Sequence, residues 1–301
     1  MKPWKVLITD GLSQKGIAIL SEDTDVVIQD GIGAEELLAE VGAYDAVIVR
    51  SRTKVTKAVL AAGERLKVVG RAGVGVDNID IDAAARQGVI VVNSPTATTI
   101  TVAELTLGLM LSLAREIPRA DAAMKNGVWL KKELTGVELY EKTLGVVGFG
   151  RIGTQVAQRA KAFGMRAIAY DPLIPNEEIV QRGAEPVSLE ELYARTDFLT
   201  LHIPLTDETR NMLNGEAFAK MKKGVRIICA ARGGVIDEEA LLAALESGQV
   251  AGAALDVFAQ EPPGKSPLVG HPQVVATPHI GAQTKEAGAR AAVDIAEEVL
   301  A

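Results

Sequence analysis

TLGVVGFGRIGTQVAQRAKAFG, Thr143 to Gly164, is the stretch that decides the fold. Thr143 to Val147 is a nearly unbroken apolar run, as a strand covered on both faces of a parallel sheet requires. Gly148, Gly150 and Gly153 follow in the pattern GxGxxG, and the segment behind them has helical character. Gly148 permits a tight turn, Gly150 leaves room for a pyrophosphate, and Gly153 lets the helix approach the strand. The first amides of that helix point at the same space, where the helix dipole favours negative charge. Asp171 stands at the end of the next apolar run, RAIAY (Arg166 to Tyr170). Its carboxylate suits the ribose hydroxyls of NAD and repels the 2'-phosphate of NADP, and Pro172, Leu173 and Ile174 bring no cation to offset this. The motif alone leaves open an ordinary glycine turn with a solvated acid at a strand end.

The same strand-and-helix rhythm extends in both directions. WKVLIT (Trp4 to Thr9), DVVIQ (Asp25 to Gln29), AVIVR (Ala46 to Arg50), LKVVG (Leu66 to Gly70) and VIVVN (Val89 to Asn93) precede it. FLTLH (Phe198 to His202), VRIIC (Val225 to Cys229), AALDV (Ala253 to Val257) and QVVAT (Gln273 to Thr277) follow. Crossover helices fit between them, among them Ala34 to Val41, Lys54 to Ala62, and one opened by a capping box of Ser188 and Glu191. Two doubly wound α/β domains with parallel sheets are expected. Thr98 to Lys125 reads as a long helix with Val102, Leu105, Leu109 and Leu113 on one face, broken near Ile117 by Pro118. So apolar a helix suggests packing against a second copy of the chain, with a core helix between the two domains as the alternative.

Composition sets the outer limits. Of 301 residues, 48% are hydrophobic and 24% charged, which excludes a disordered chain, and only 4% are aromatic, so aliphatic side chains must fill the core. The net charge of -7 gives no reason to expect nucleic acid or an anionic membrane as partner. Cys229 is the single cysteine, so no internal disulfide is possible. No apolar run reaches membrane-spanning length and MKPWKVLITD lacks the features of a signal peptide, so a cytoplasmic protein is expected. No metal is called for.

Seven blocks in order carry a resemblance. They are VRSRTKVT (Val49 to Thr56), VGRAGVGVDNID (Val69 to Asp80), NSPTATTITVAELT (Asn93 to Thr106), GFGRIG, ARGGVIDE (Ala231 to Glu238), ALDVFAQEPP (Ala254 to Pro263) and TPHIGAQT (Thr277 to Thr284). Together they make the chain similar, over essentially its whole length, to the D-isomer-specific 2-hydroxyacid dehydrogenase family. The resemblance implies a Rossmann NAD-binding domain, residues 98–283, inserted into a flavodoxin-like substrate domain made of residues 1–97 and 284–301. It also implies a homodimer built through the cofactor domains. Longer relatives continue into C-terminal domains, and none is expected within these residues.

The same resemblance assigns catalysis to Arg232, Glu261 and His279. Arginine offers a planar fork for a 2-oxo acid, histidine exchanges a proton with its oxygen, and a carboxylate fixes the histidine's tautomer. It places Val74, Gly148, Gly150, Arg151, Ile152, Gly153, Asp171, Ile203, Pro204, Ala230, Arg232, Asp256, His279, Gly281 and Ala282 around NAD, with Asp256 facing the carboxamide. Gly73 and Gly75 are expected to present backbone amides to the substrate carboxylate, beside Arg232 and His279. Arg50 and Arg71 take a distal phosphate. Oxidation of 3-phospho-D-glycerate to 3-phosphohydroxypyruvate, a step towards serine, is therefore the expected activity. Hydroxypyruvate or glyoxylate reduction is the enzymatic alternative, and a non-catalytic NAD sensor the remaining one. Three departures stand out: Lys131 where some relatives bring a stronger basic group across the dimer, Cys229 where asparagine is common, and Val74 where threonine occurs. His202 and His271 are expected to be structural or near the cofactor.

Overall fold

The computed structural model describes residues 3–301, which form two compact units: one takes in residues up to Thr101 together with Ala282–Ala301, the other Val102–Gly281. Each is built on a wholly parallel sheet. In the first, strands β1 (Trp4–Ile8), β2 (Thr24–Ile28), β3 (Ala46–Val49), β4 (Val68–Arg71) and β5 (Ile90–Asn93) lie in the order β2-β1-β3-β4-β5. In the second, β6 (Thr143–Val147), β7 (Arg166–Tyr170), β8 (Glu185–Pro186), β9 (Phe198–Leu201), β10 (Val225–Cys229), β11 (Val250–Leu255) and β12 (Val274–Ala276) lie in the order β12-β11-β10-β9-β6-β7-β8. The first is the flavodoxin-like order, and the second is the dinucleotide-binding order extended by one strand. Both sheets carry helices and a buried aliphatic cluster on each face, which is why their strands read as continuous apolar runs.

Order reversal creates a crevice beside the first strand of each sheet. In the second unit it opens between β6 and β9, where the glycine-rich turn leaves β6. In the first it opens between β1 and β3, where the chain emerges at Thr9–Asp10 and Arg50–Thr53. Ligands of open α/β sheets bind at such points.

The helix Lys285–Leu300 closes the first unit. It starts at Thr284, whose side chain accepts a hydrogen bond from the Ala287 amide, and it buries Ala291, Ala292, Ile295, Ala296 and Val299. Its backbone packs so near the helix Gln14–Asp23 that a Cβ on Gly16 would fall 2.3 Å from the Ala292 carbonyl oxygen. A side chain there would have to push two helices apart.

Local chemistry adjusts several expected boundaries. The helix expected from Lys54 begins only at Lys57, because Thr56 caps it and Val55 instead bridges to Ile79. β11 starts at Val250, before the expected Ala253, and Asp256 already lies beyond its end. Ser188 and Glu191 do form both halves of the capping box. The stretch from Thr98 divides as Pro118 foretold, into helices Thr99–Ala114 and Ile117–Lys125 with Glu116 in the left-handed region between them. The first of these buries Ala103, Leu107, Leu109, Met110 and Leu113 in the second unit's own core, so most of its apolar character serves that core. The second helix and the segment after it hold the exposed apolar groups Ile117, Met124, Val128, Trp129 and Tyr140.

Candidate active site

The turn after β6 has the shape that its three glycines allow. Gly148 has φ +87, and a Cβ there would meet the His202 carbonyl oxygen at 2.5 Å. A Cβ on Gly153 would meet the Gly148 carbonyl oxygen at 2.2 Å, whereas on Gly150 it would meet nothing within 4 Å. The open position is thus the one that a pyrophosphate has to approach, and Gly150 caps the twelve-residue helix Arg151–Ala162. These residues fit a dinucleotide. Asp171, at the end of β7, accepts from the amides of Phe149 at 2.8 Å and Leu173 at 2.9 Å, which fixes its carboxylate beside the turn. Arg182 was not anticipated. It donates to the Phe149 carbonyl at 2.8 Å and pairs with Glu178, so it braces the turn from behind.

Ile203 and Pro204 follow β9 at the crevice, behind His202. The His202 Nε2 lies 3.0 Å from Thr200 Oγ1, and its Nδ1 is buried with no hydrogen-bond partner among the described residues. Burial pulls its pKa down to about 3, so this imidazole is neutral. His271 sits elsewhere, accepting from the Gln273 amide near the start of β12.

The three catalytic candidates emerge at the same end of three adjacent strands. Arg232 follows β10 behind Ala230, Glu261 follows β11, and His279 follows β12. His279 Nδ1 lies 2.7 Å from Glu261 Oε2, and the other carboxylate oxygen accepts from the Phe258 amide at 3.1 Å. A carboxylate only accepts, so the proton of the pair sits on Nδ1 and Nε2 stays available. The two side chains remain 50% and 36% exposed, open to a ligand. Arg232 Nη1 donates to the Ala231 carbonyl at 2.7 Å, and Gly233 is required behind it because a Cβ would lie 1.8 Å from the Phe258 carbonyl oxygen. Cys229 donates weakly to the Arg232 carbonyl at 3.9 Å, and burial pushes its thiol up to about 11.

His279 has φ +51, a left-handed conformation uncommon outside glycine. Buried Asp256 holds it there. Asp256 Oδ1 accepts from Thr277 Oγ1 at 2.6 Å and from the Ile280 amide at 2.8 Å, and Oδ2 accepts from the Gly281 amide at 2.8 Å. Its own carbonyl receives the His279 amide at 2.9 Å. The residue expected to face a carboxamide therefore also organises the loop that carries the imidazole, with Ala282 next along the chain.

Within the first unit, Val49 pairs with Arg71 across β3 and β4, which sets Arg50 and Arg71 on neighbouring strands at one sheet end. Arg71 packs under the RAGVG turn, since a Cβ on Gly73 would sit 1.5 Å from its Nη1. Asn93 donates to the Val74 carbonyl at 2.6 Å and the Ser94 amide to the Gly73 carbonyl at 2.9 Å, which holds the turn before Gly75. Asn78 donates to the carbonyls of Arg50 and Thr53 at 2.8 and 2.6 Å.

Asp10, which the sequence did not single out, knots the same crevice. It accepts from the Arg50 amide at 2.7 Å and from Thr53 Oγ1 at 2.5 Å, and it pairs with Arg52 at 2.8 Å. Burial raises the pKa of this carboxyl, but the bonds from Thr53 and Arg50 and the charge of Arg52 outweigh it and hold it below the usual carboxylate range. A depressed folded-state pKa gives stability that is complete above the unfolded value of about 3.9 and fades as pH falls through the folded value. Asp10→Asn should therefore destabilise the first unit by about 1–3 kcal/mol at neutral pH and by almost nothing once the wild-type carboxyl is protonated. Urea unfolding followed by Trp4 fluorescence in a Trp129→Phe background tests this.

Residues 107–281 match the family described as "D-isomer specific 2-hydroxyacid dehydrogenase, NAD binding domain". A D-3-phosphoglycerate dehydrogenase of Synechocystis sp. is 52% identical over 295 residues, 98% of this chain and 53% of that protein. The Homo sapiens protein of the same name is 50% identical over 97% of this chain and 55% of its own length. The chain thus spans about half the length of these curated relatives. A solved glyoxylate reductase from Paecilomyes thermophila superposes with a TM-score of 0.91 at 32% identity, covering 100% of this chain and 95% of that one.

Proposed function

The chain belongs to the D-isomer-specific 2-hydroxyacid dehydrogenase family, and from that premise we propose that it oxidises 3-phospho-D-glycerate to 3-phosphohydroxypyruvate with NAD. The observation that carries the chemistry is the 2.7 Å pair of His279 and Glu261 at the strand end beside Arg232. NAD bound along these strand ends supplies the acceptor for the hydride that leaves the substrate's alpha carbon. His279 takes the hydroxyl proton on Nε2, Glu261 holds the ring in the tautomer that leaves Nε2 unprotonated, and Arg232 orients the carboxylate and polarises the forming carbonyl. Of the two glycines expected to present amides, Gly73 gives its own to the Arg71 carbonyl at 2.8 Å, which leaves the Gly75 amide to meet a substrate oxyanion.

Arg50 and Arg71 support the phosphorylated substrate, because both lie at the sheet end where this fold receives ligands. Arg50→Ala and Arg71→Ala are expected to lower kcat/KM for phosphohydroxypyruvate by about tenfold to a hundredfold more than for hydroxypyruvate. Equal losses on the two acids would remove the phosphate role and favour the activity named for the solved glyoxylate reductase. Arg50→Ala is the cleaner variant, since Arg71 also underlies the Gly73 turn.

A homodimer through the cofactor-binding units is part of this proposal. Trp129 is 73% exposed beside exposed Met124 and Val128, an apolar surface suited to a second copy. Lys131 follows on the same segment. Among the described residues no helix is long and apolar enough to cross a membrane, and a cytoplasmic setting belongs to the same proposal.

A further inference from the structure

The cofactor-binding unit holds a second concavity that the chemistry above does not use. It lies at the amino ends of β10, β11 and β12, the end of the sheet opposite Arg232 and His279, and its volume is about 480 Å³. Ser112, Leu113, Glu116, Arg119, Thr135 and Arg226 contribute to its wall. Sites for small molecules commonly have this size.

Arg226 is the unusual member. Its guanidinium packs on the Phe198 ring, with Cζ 5.5 Å from the centroid, and among the described residues its side chain makes no hydrogen bond or ion pair. Burial lowers its pKa from the usual arginine value, and the charges of Glu116 and Asp197 only partly oppose that. Neither acid is at liberty to pair with it. Glu116 is bound by Arg119 at 2.8 Å, and Asp197 by Lys222 at 3.0 Å and the Thr143 amide at 2.8 Å. A guanidinium has five donors, and those of Arg226 are open to water within the concavity, where an oxyanion would replace that water with charge-paired acceptors.

We propose that this concavity is a binding site for a small metabolite bearing a carboxylate or phosphate group, held by the Arg226 fork with the hydroxyls of Ser112 and Thr135 as further donors. An oxyanion only accepts, and its paired oxygens match the guanidinium edge. An apolar ligand leaves the donors unfilled. A cation meets two arginines and one glutamate already bound.

Titration calorimetry of the full chain, saturated with NAD, tests the site with citrate and inorganic phosphate as separate probes. Arg226→Gln removes the fork, Ser112→Phe fills the cavity while leaving Arg226 in place, and Arg50→Ala removes a cation from the other unit. At least one probe is expected to bind the wild type and to lose about tenfold or more in affinity in both Arg226→Gln and Ser112→Phe, with no loss in Arg50→Ala. If Arg226→Gln fails to fold, Ser112→Phe decides. Unchanged binding in Ser112→Phe overturns the proposal, as does loss confined to Arg50→Ala. Binding of neither probe, including because a second copy closes the cavity, also overturns it.

Discussion

Replacing His279 by asparagine is expected to lower kcat for 3-phosphoglycerate oxidation by about a hundredfold to ten-thousandfold and to change NAD affinity far less. Asparagine is the informative choice because position 279 has φ +51, and asparagine tolerates the left-handed region better than most residues. Alanine there would mix backbone strain with the loss of the imidazole. The Asp256 hooks on Thr277, Ile280 and Gly281 do not involve the His279 side chain, so the loop should keep its course. Steady-state rates alongside NAD titration separate the two quantities, and a variant that turns over at the wild-type rate would exclude His279 as the proton acceptor. Glu261→Gln should cost less, since an amide can still orient the ring while offering no charge to the imidazolium.

Arg232→Lys is expected to reduce kcat/KM by about a hundredfold to a thousandfold although the formal charge is kept. Lysine presents a point charge, and the proposed role needs two donors in one plane, to hold a carboxylate and reach the carbonyl together. The substitution leaves the neighbouring backbone alone, because the close approach at this loop involves Gly233 and the Phe258 carbonyl. Kinetics with hydroxypyruvate and phosphohydroxypyruvate should show similar losses, in contrast to Arg50→Ala. Near-wild-type kcat/KM in Arg232→Lys would reduce Arg232 to a counter-charge.

Most of the fold was legible because both sheets are covered on both faces. Val6 to Ile8, Ala46 to Val49 and Val225 to Cys229 could announce strands as plain apolar runs, and the helices between them pointed to parallel sheets without giving the strand order. β8 was not legible. A two-residue edge strand ending in Pro186 has neither length nor periodicity to distinguish it. β11 was misplaced by its start, since VAGAAL is too rich in glycine and alanine to mark where pairing begins.

At the site, residue types could be read but their supports could not. His279, Glu261 and Arg232 came from motifs, and the spacing of Gly148, Gly150 and Gly153 assigned each its part in the turn. Asp10, Asn78, Asn93 and Arg182 act through hydrogen bonds to the backbone of distant segments, such as Asn93 to Val74. An asparagine or aspartate after a strand gives no sign in one dimension of which carbonyl or amide it will meet. Arg226 was hidden for a related reason, because its isolation depends on which acids other cations have already taken.

Residues 285–300 form a helix of the first unit, yet they leave the ribosome after the whole of the second. The contiguous segment 102–281 can condense during translation, while β4 still lacks Ile295 and Val299, the side chains that abut Gly70. The nascent chain thus carries a finished nucleotide-binding half beside an incomplete one, whose bare apolar sheet face is a natural target for chaperones until synthesis passes Leu300.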